Sequence, residues 1–184
     1  MTKNVISEVL KTGEIIESLY VPEEEKTFLA VCTKDGVITI HDELSINGKL
    51  LKPIHSDSSF LKNGQLLIPS EVSDYGSNGD LLREVQLFIH KYVHVTESFE
   101  LIASNYVILS WLYDKFNELP YLRVLGDYGS GKSRFLQTIG SICYKAVFLN
   151  GGASSAVIFR TTDILRGTLI LDESDFNSSD TSSD

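Results

Sequence analysis

The hydrophobic positions of this 184-residue chain change period once. Up to residue 78 they fall in short runs broken by turn-forming residues, which predicts a β-rich region. FLAVCTKDGVITI (28–40) is two β-prone runs around Asp35-Gly36, a pair suited to the positive φ angles of a tight hairpin. KLL (49–51) and QLLIP (65–69) are shorter apolar runs, and DYGSNGD (74–80) reads as a linker. From residue 81 the period becomes helical: Leu81, Leu82, Val85, Phe88, Ile89 and Tyr92 share one face. Thr96 or Ser98 caps a second predicted helix that runs to about Asn117, ahead of Pro120. Its apolar residues, including Leu101, Ile102, Leu109, Trp111, Leu112 and Phe116, go most of the way round, which predicts burial on several sides. Trp111 and Tyr113 belong to the core in that reading.

The remainder alternates strand and helix. YLRVL (121–125) reads as a strand and RFLQTIGSIC (134–143) as a helix with Phe135, Leu136, Ile139, Ile142 and Cys143 on one face. AVFLN (146–150) is a second strand, SSAVIFRTTDILR (154–166) a helix, and GTLILDESD (167–175) a strand ending in acids. The buried, apolar character of these strands suits a parallel sheet covered on both faces.

Between the first strand and its helix lies Gly126-Asp127-Tyr128-Gly129-Ser130-Gly131-Lys132-Ser133, the spacing G-x-x-x-x-G-K-S of a phosphate-binding loop. The residue types fit that chemistry. Gly126, Gly129 and Gly131 let successive backbone N–H groups turn inward towards phosphate oxygens. The N-terminus of the following helix adds positive potential. Lys132 reaches the β- and γ-phosphates, and the Ser133 hydroxyl is a ligand for Mg²⁺.

The strand Thr168-Leu169-Ile170-Leu171-Asp172-Glu173 delivers two carboxylates at its C-terminal tip, where ligands of such sheets bind. Asp172 is placed to hold Mg²⁺, and Glu173 is the catalytic base that orients and polarises the attacking water. An apolar strand followed by two acids is a weak signal alone. It gains weight from its position 40 residues after Lys132 (172 minus 132), with one strand and one helix between. The adjacent glutamate favours an ATPase, and no Asn/Thr-Lys-x-Asp guanine-reading motif is present, so adenine is the expected base.

The motifs predict an α/β fold: a P-loop NTPase three-layer core with an incomplete parallel sheet, preceded by a helical segment and a small β-rich N-terminal region. The expected divisions are 1–78, 79–119, 120–176 and a Ser/Asp-rich tail at 177–184. Sixteen Lys and Arg against 25 Asp and Glu give a formal charge of -9. That argues against a broad electrostatic footprint on nucleic acid, which needs clustered cations. Residues 1–78 carry 7 lysines and 12 acids and no catalytic constellation; His41 and His55 read there as surface or structural residues. Two distant cysteines, Cys32 and Cys143, suit a reducing, cytoplasmic setting. The longest apolar stretch, LIASNYVILSWLY (101–113), is too short to span a bilayer, so no membrane partner is expected. Arg134, Arg160 and Arg166 read as structural or solvated helix residues.

PYLRVLGDYGSGKSRFLQTIGSICY…GTLILDESDF resembles the ATPase module of phage- and mobile-element-type DNA primase/helicase-like proteins, in the AAA+ and related helicase group. The resemblance covers about residues 99–176 and takes in the preceding helix, ASNYVILSWLYDKF. It implies ATP and Mg²⁺ as ligands, with Gly126–Ser133 as the nucleotide loop and Asp172 with Glu173 as the metal and water site. Tyr128 and Ser174 depart from the family pattern, the first by bulk and the second by polarity. Such proteins continue past the second motif with a polar sensor strand, a last strand and an arginine finger acting on a neighbouring subunit. None of these follows Glu173 here. The resemblance therefore implies a larger homo-oligomeric ATPase that acts on DNA, with little hydrolysis by these 184 residues alone. A non-motor ATP-binding switch or assembly module controlling a protein partner is the competing reading.

Overall fold

The computed structural model describes residues 2–150 and 154–172. The chain is mixed α/β and divides into two compact units, one up to Gly76 and one from Ser77.

In the first unit, strands β1 (Thr2–Val5), β2 (Ser7–Val9), β3 (Ile15–Val21), β4 (Lys26–Cys32), β5 (Ile38–His41), β6 (Leu44–Ile46) and β7 (Lys49–Pro53) build two sheets. One is an antiparallel meander in the order β2-β3-β4-β5. The other has the order β1-β7-β6, with β1 parallel to β7 and β6 antiparallel to it. Val5, Ile16, Leu29, Val31 and Leu51 are buried together as the core of this unit. The buried Ser18 hydroxyl donates to the Val5 carbonyl at 2.6 Å and accepts from the Ile54 N–H at 3.3 Å, so burying it leaves no polar atom unpaired.

The Asp35-Gly36 hairpin forms between β4 and β5: Gly36 takes φ +79° and the Thr33 N–H donates to the Val37 carbonyl at 2.9 Å. A second tight turn, Asn47-Gly48, joins β6 to β7 with both residues at positive φ (51° and 74°). Asn and Gly tolerate those angles, which match the right-handed twist of a hairpin. A single helical turn, α1 (Ser59–Lys62), completes the unit and buries Leu61.

The second unit opens with α2 (Asn78–Tyr92). Ser77 Oγ accepts from the Asp80 N–H at 3.2 Å while the Asp80 carboxylate accepts from the Ser77 N–H at 3.3 Å. This reciprocal cap satisfies two of the helix's unpaired amides. The second half of the stretch expected as a linker is therefore the start of a helix. Helix α3 (Glu97–Trp111) is capped by Thr96, whose Oγ1 accepts from the Phe99 N–H. It ends six residues before Asn117, because Tyr113–Lys115 tighten into a 3₁₀ turn. Then come α4 (Lys132–Gly140), β8 (Val147–Asn150), α5 (Ser155–Leu165) and β9 (Leu169–Asp172). Strands β8 and β9 pair in parallel, from Val147 opposite Leu169 to Asn150 opposite Asp172, with α5 as the crossover.

The core joins α2, α3 and α4 through Ile89, Ala103, Val107, Phe135, Ile139 and Cys143. Phe99 stacks on Phe135 with ring centroids 5.2 Å apart. The predicted apolar face of the helix after the Gly-rich loop is the buried one.

The expected parallel sheet is found in part: β8 and β9 pair in parallel among the described residues, while the sheets of the first unit are mostly antiparallel. Two further expectations are corrected. YLRVL (121–125) is not a strand. Exposure alternates along it, with Leu122 and Val124 packed against the helical core and Tyr121 and Leu125 97% and 76% exposed. No described strand lies beside it to complete a ladder, so its alternation serves packing on helices instead. Finally, α3 is not buried all round: Leu101, Ile102 and Trp111 are about half exposed, because α2 and the segment after α4 cover only part of its surface.

Candidate phosphate-binding site

The Gly-rich loop is shaped by two residues that need left-handed backbone. Gly129 takes φ +76° and Gly131 φ +88°. A Cβ at either would meet no atom within 4 Å, so conformation rather than space demands glycine at both. Gly126 differs: a Cβ there would lie 2.6 Å from Ser130 Oγ, so the loop closes tightly on its own first residue. The Ser130 N–H donates to the Asp127 carbonyl at 3.2 Å, forming the turn at the tip.

Helix α4 starts at Lys132, with Gly131 as its left-handed cap residue, and its first intrahelical bond runs from the Phe135 N–H to the Gly131 carbonyl at 2.9 Å. No side chain caps this N-terminus. The Lys132 side chain folds back over the loop, and its Nζ donates to the carbonyls of Gly126 at 2.8 Å and Asp127 at 2.7 Å. The ammonium thus spans the loop's mouth and gathers both ends of the motif. Ser133 is exposed in the first helical turn. Tyr128 is fully exposed, so its bulk does not crowd the turn.

The close approach of α4 to the two-stranded sheet is set at Gly140. A Cβ there would come within 2.9 Å of both Ile170 Cγ1 and Phe148 Cζ. This glycine seats the C-terminal end of α4 on β8 and β9. A second close approach, Gly167 against the Lys145 carbonyl, locks the entry to β9, where a Cβ would fall 2.1 Å from that oxygen. Both are positioning glycines that spacing did not single out; the one signal was a glycine within an otherwise good helical run.

Asp172 stands half-buried at the C-terminal end of β9, paired in register with Asn150. Glu173 and Ser174 lie outside the described residues. No group of three or more His, Cys, Asp and Glu side chains that could hold a metal occurs among the described residues. The described members of the predicted magnesium set are therefore Ser133 and Asp172, one in the first turn of α4 and one at the tip of β9. The structure brings Gly126, Asp127 and Lys132 into direct contact, while Asp172 belongs to a separate element that packs on the same helix.

Arg134 is structural in part: its Nε donates to the Tyr92 carbonyl at 3.3 Å, pinning the C-terminus of α2 to α4. Arg160 and Arg166 are exposed, Arg166 as the left-handed cap residue (φ +47°) of α5. His41 bonds to Thr39 Oγ1 at 2.8 Å and His55 sits 3.5 Å from Asp57, both in the first unit. No described helix is long and apolar enough to cross a membrane.

Comparisons with protein-family models, with curated proteins and with solved structures find no match to this chain.

Proposed function

We propose that this chain binds Mg·ATP through Gly126–Ser133 and forms the nucleotide-binding part of a P-loop ATPase. The observation that carries the reading is the Lys132 ammonium held across its own glycine loop, at 2.8 and 2.7 Å from the Gly126 and Asp127 carbonyls. A lysine buttoned over a loop of left-handed glycines, at an uncapped helix N-terminus, is pre-positioned for a polyphosphate. The phosphate oxygens would replace the two carbonyls as acceptors, and charge-assisted bonds are the stronger ones. Loop amides and the helix end supply the remaining attraction.

Ser133 and Asp172 offer hard oxygen donors of the kind Mg²⁺ prefers and would hold it. When bound, the ion supplies positive charge beside the β- and γ-phosphate oxygens. Glu173, next in sequence to Asp172, is the base in this reading, taking the proton of the attacking water. In this reading Glu173→Gln should keep nucleotide and lose turnover.

The DNA-replication motor is the leading reading for the larger role, supported by the resemblance of residues 99–176. The net charge of -9 favours the second reading, a nucleotide-controlled switch or assembly module, because a DNA motor needs clustered cations. Stimulation of phosphate release by DNA decides between them. For the metal assignment, Asp172→Asn should weaken the dependence of ATP binding on magnesium, measured as affinity with Mg²⁺ against affinity in EDTA. Equal magnesium dependence in parent and variant would remove Asp172 from the site.

A further inference from the structure

A surface recess of about 230 Å³ runs along α4 immediately beyond the phosphate loop, between that helix and the C-terminal part of α2. Its walls are Phe88 and Tyr92 from α2 and Arg134, Gln137, Thr138 and Ser141 from α4 and its end. The volume lies below the roughly 300 Å³ at which pockets for whole drug-sized ligands begin. It suits one flat ring system rather than an entire nucleotide.

We infer that this recess receives the base of the bound nucleotide and selects adenine over guanine. The inference rests on the proposed role of Gly126–Ser133. Three observations carry it. The first is position: at about 1.5 Å of rise per residue, Gln137 and Ser141 stand roughly 8 to 14 Å along α4 from Lys132. A nucleotide anchored by its phosphates at the helix start can lay its base there. The second is the aromatic wall. Phe88 and Tyr92 pack with centroids 4.9 Å apart and a 56° tilt, giving an apolar face against which a base can stack.

The third observation is the polarity of the opposite wall. The Ser141 hydroxyl donates its proton to the Thr138 carbonyl at 2.8 Å, which leaves the oxygen of this lining residue with acceptor capacity. An acceptor fits the exocyclic amine of adenine and is mismatched with the keto oxygen of guanine. Gln137 adds one carboxamide with both a donor and an acceptor, which can meet the edge of either purine and so adds affinity rather than choice. Arg134, also in the lining, bonds through its Nε to the Tyr92 carbonyl at 3.3 Å and so ties the two walls together.

The test uses the full chain and three probes, Mg·ATP, Mg·GTP and magnesium tripolyphosphate, titrated by calorimetry into parent, Ser141→Ala, Gln137→Ala and Lys132→Ala. The expected result is ATP preferred over GTP, with that preference reduced about tenfold in Ser141→Ala, as for loss of one base-edge hydrogen bond, and with ATP and GTP both bound more weakly by Gln137→Ala. Tripolyphosphate binding should fall in Lys132→Ala and not in the two groove variants. Circular dichroism of each variant controls for folding. Photolabelling with 8-azido-ATP should mark a peptide containing residues 88–92 or 137–141. Equal affinity for ATP and GTP in the parent, or labelling elsewhere while tripolyphosphate still needs Lys132, would overturn the base site and leave the phosphate loop standing. No binding of any probe would overturn both.

Discussion

The Trp111 indole N–H donates to the Ile142 carbonyl at 3.0 Å, and the same ring meets Tyr144 edge-on with centroids 5.1 Å apart. The last turn of α3 is thereby tied to the segment between α4 and β8. Ser110 strengthens the joint: its hydroxyl donates to the Val107 carbonyl at 2.6 Å and accepts from the Tyr144 N–H at 3.0 Å. Trp111→Phe keeps most of the ring and deletes the bond, so it should destabilise the second unit by about 1 kcal/mol. Trp111→Ala should cost more, since the contact with Tyr144 goes too. Urea titration followed by circular dichroism reads both; an unchanged midpoint in Trp111→Phe would show that the bond contributes nothing.

Two glycines should rank in a defined order. In Gly140→Ala the new methyl meets two side-chain atoms at 2.9 Å, which can yield a little. In Gly167→Ala it meets the Lys145 backbone oxygen at 2.1 Å, which cannot move without displacing the start of β8. Overpacking of this kind typically costs about 1–3 kcal/mol, and Gly167→Ala should lie at or beyond the upper end. Equal melting temperatures for the two variants would contradict the proposed seating of α4 and β9.

Much of this arrangement was legible in the sequence where local chemistry decides. Asp35-Gly36 specifies a hairpin, Thr96 or Ser98 a helix start that the structure puts at Thr96, and the face Phe135, Ile139 and Cys143 a buried stripe. What escaped was set by distant residues. The pairing of β1 with β7 joins Thr2 to Leu50, and no local pattern encodes such a partner. The segment 121–125 has the composition of a strand, but a strand needs a neighbour, and here its alternate residues pack on helices instead. Ser77 and Asp80 looked like linker because a helix cap and a flexible connection draw on the same residues. Around the candidate site, the Gly-rich turn before α4 and the strand ending at Asp172 were legible in the sequence, whereas Gly140 and the recess beside Arg134 arise only when α2, α4 and the β8–β9 pair are brought together.

The pH dependence of stability should carry the signature of Cys143. Burial pushes its thiol up to about 11 from an ordinary 9.0, with Ser110 pulling weakly the other way. Between these values the unfolded chain gives up the proton and the folded chain keeps it. The native state then holds more protons, so stability falls as pH rises from about 9 to 11 and is unaffected by this group below 9. Cys143→Ala should flatten that decline. Iodoacetamide at pH 8 should modify the half-buried Cys32 before Cys143; faster labelling of Cys143 would mean that the core around it opens readily.

The central claim is that Lys132, now bonded to two loop carbonyls, is the cation that receives the phosphates of ATP. Isothermal titration of Mg·ATP into the parent chain and into Lys132→Ala tests it most directly. A charged hydrogen bond contributes about 1.5–3 kcal/mol, so the variant should bind roughly 10- to 100-fold more weakly while its circular dichroism is unchanged. Equal affinity in the two proteins would contradict the account.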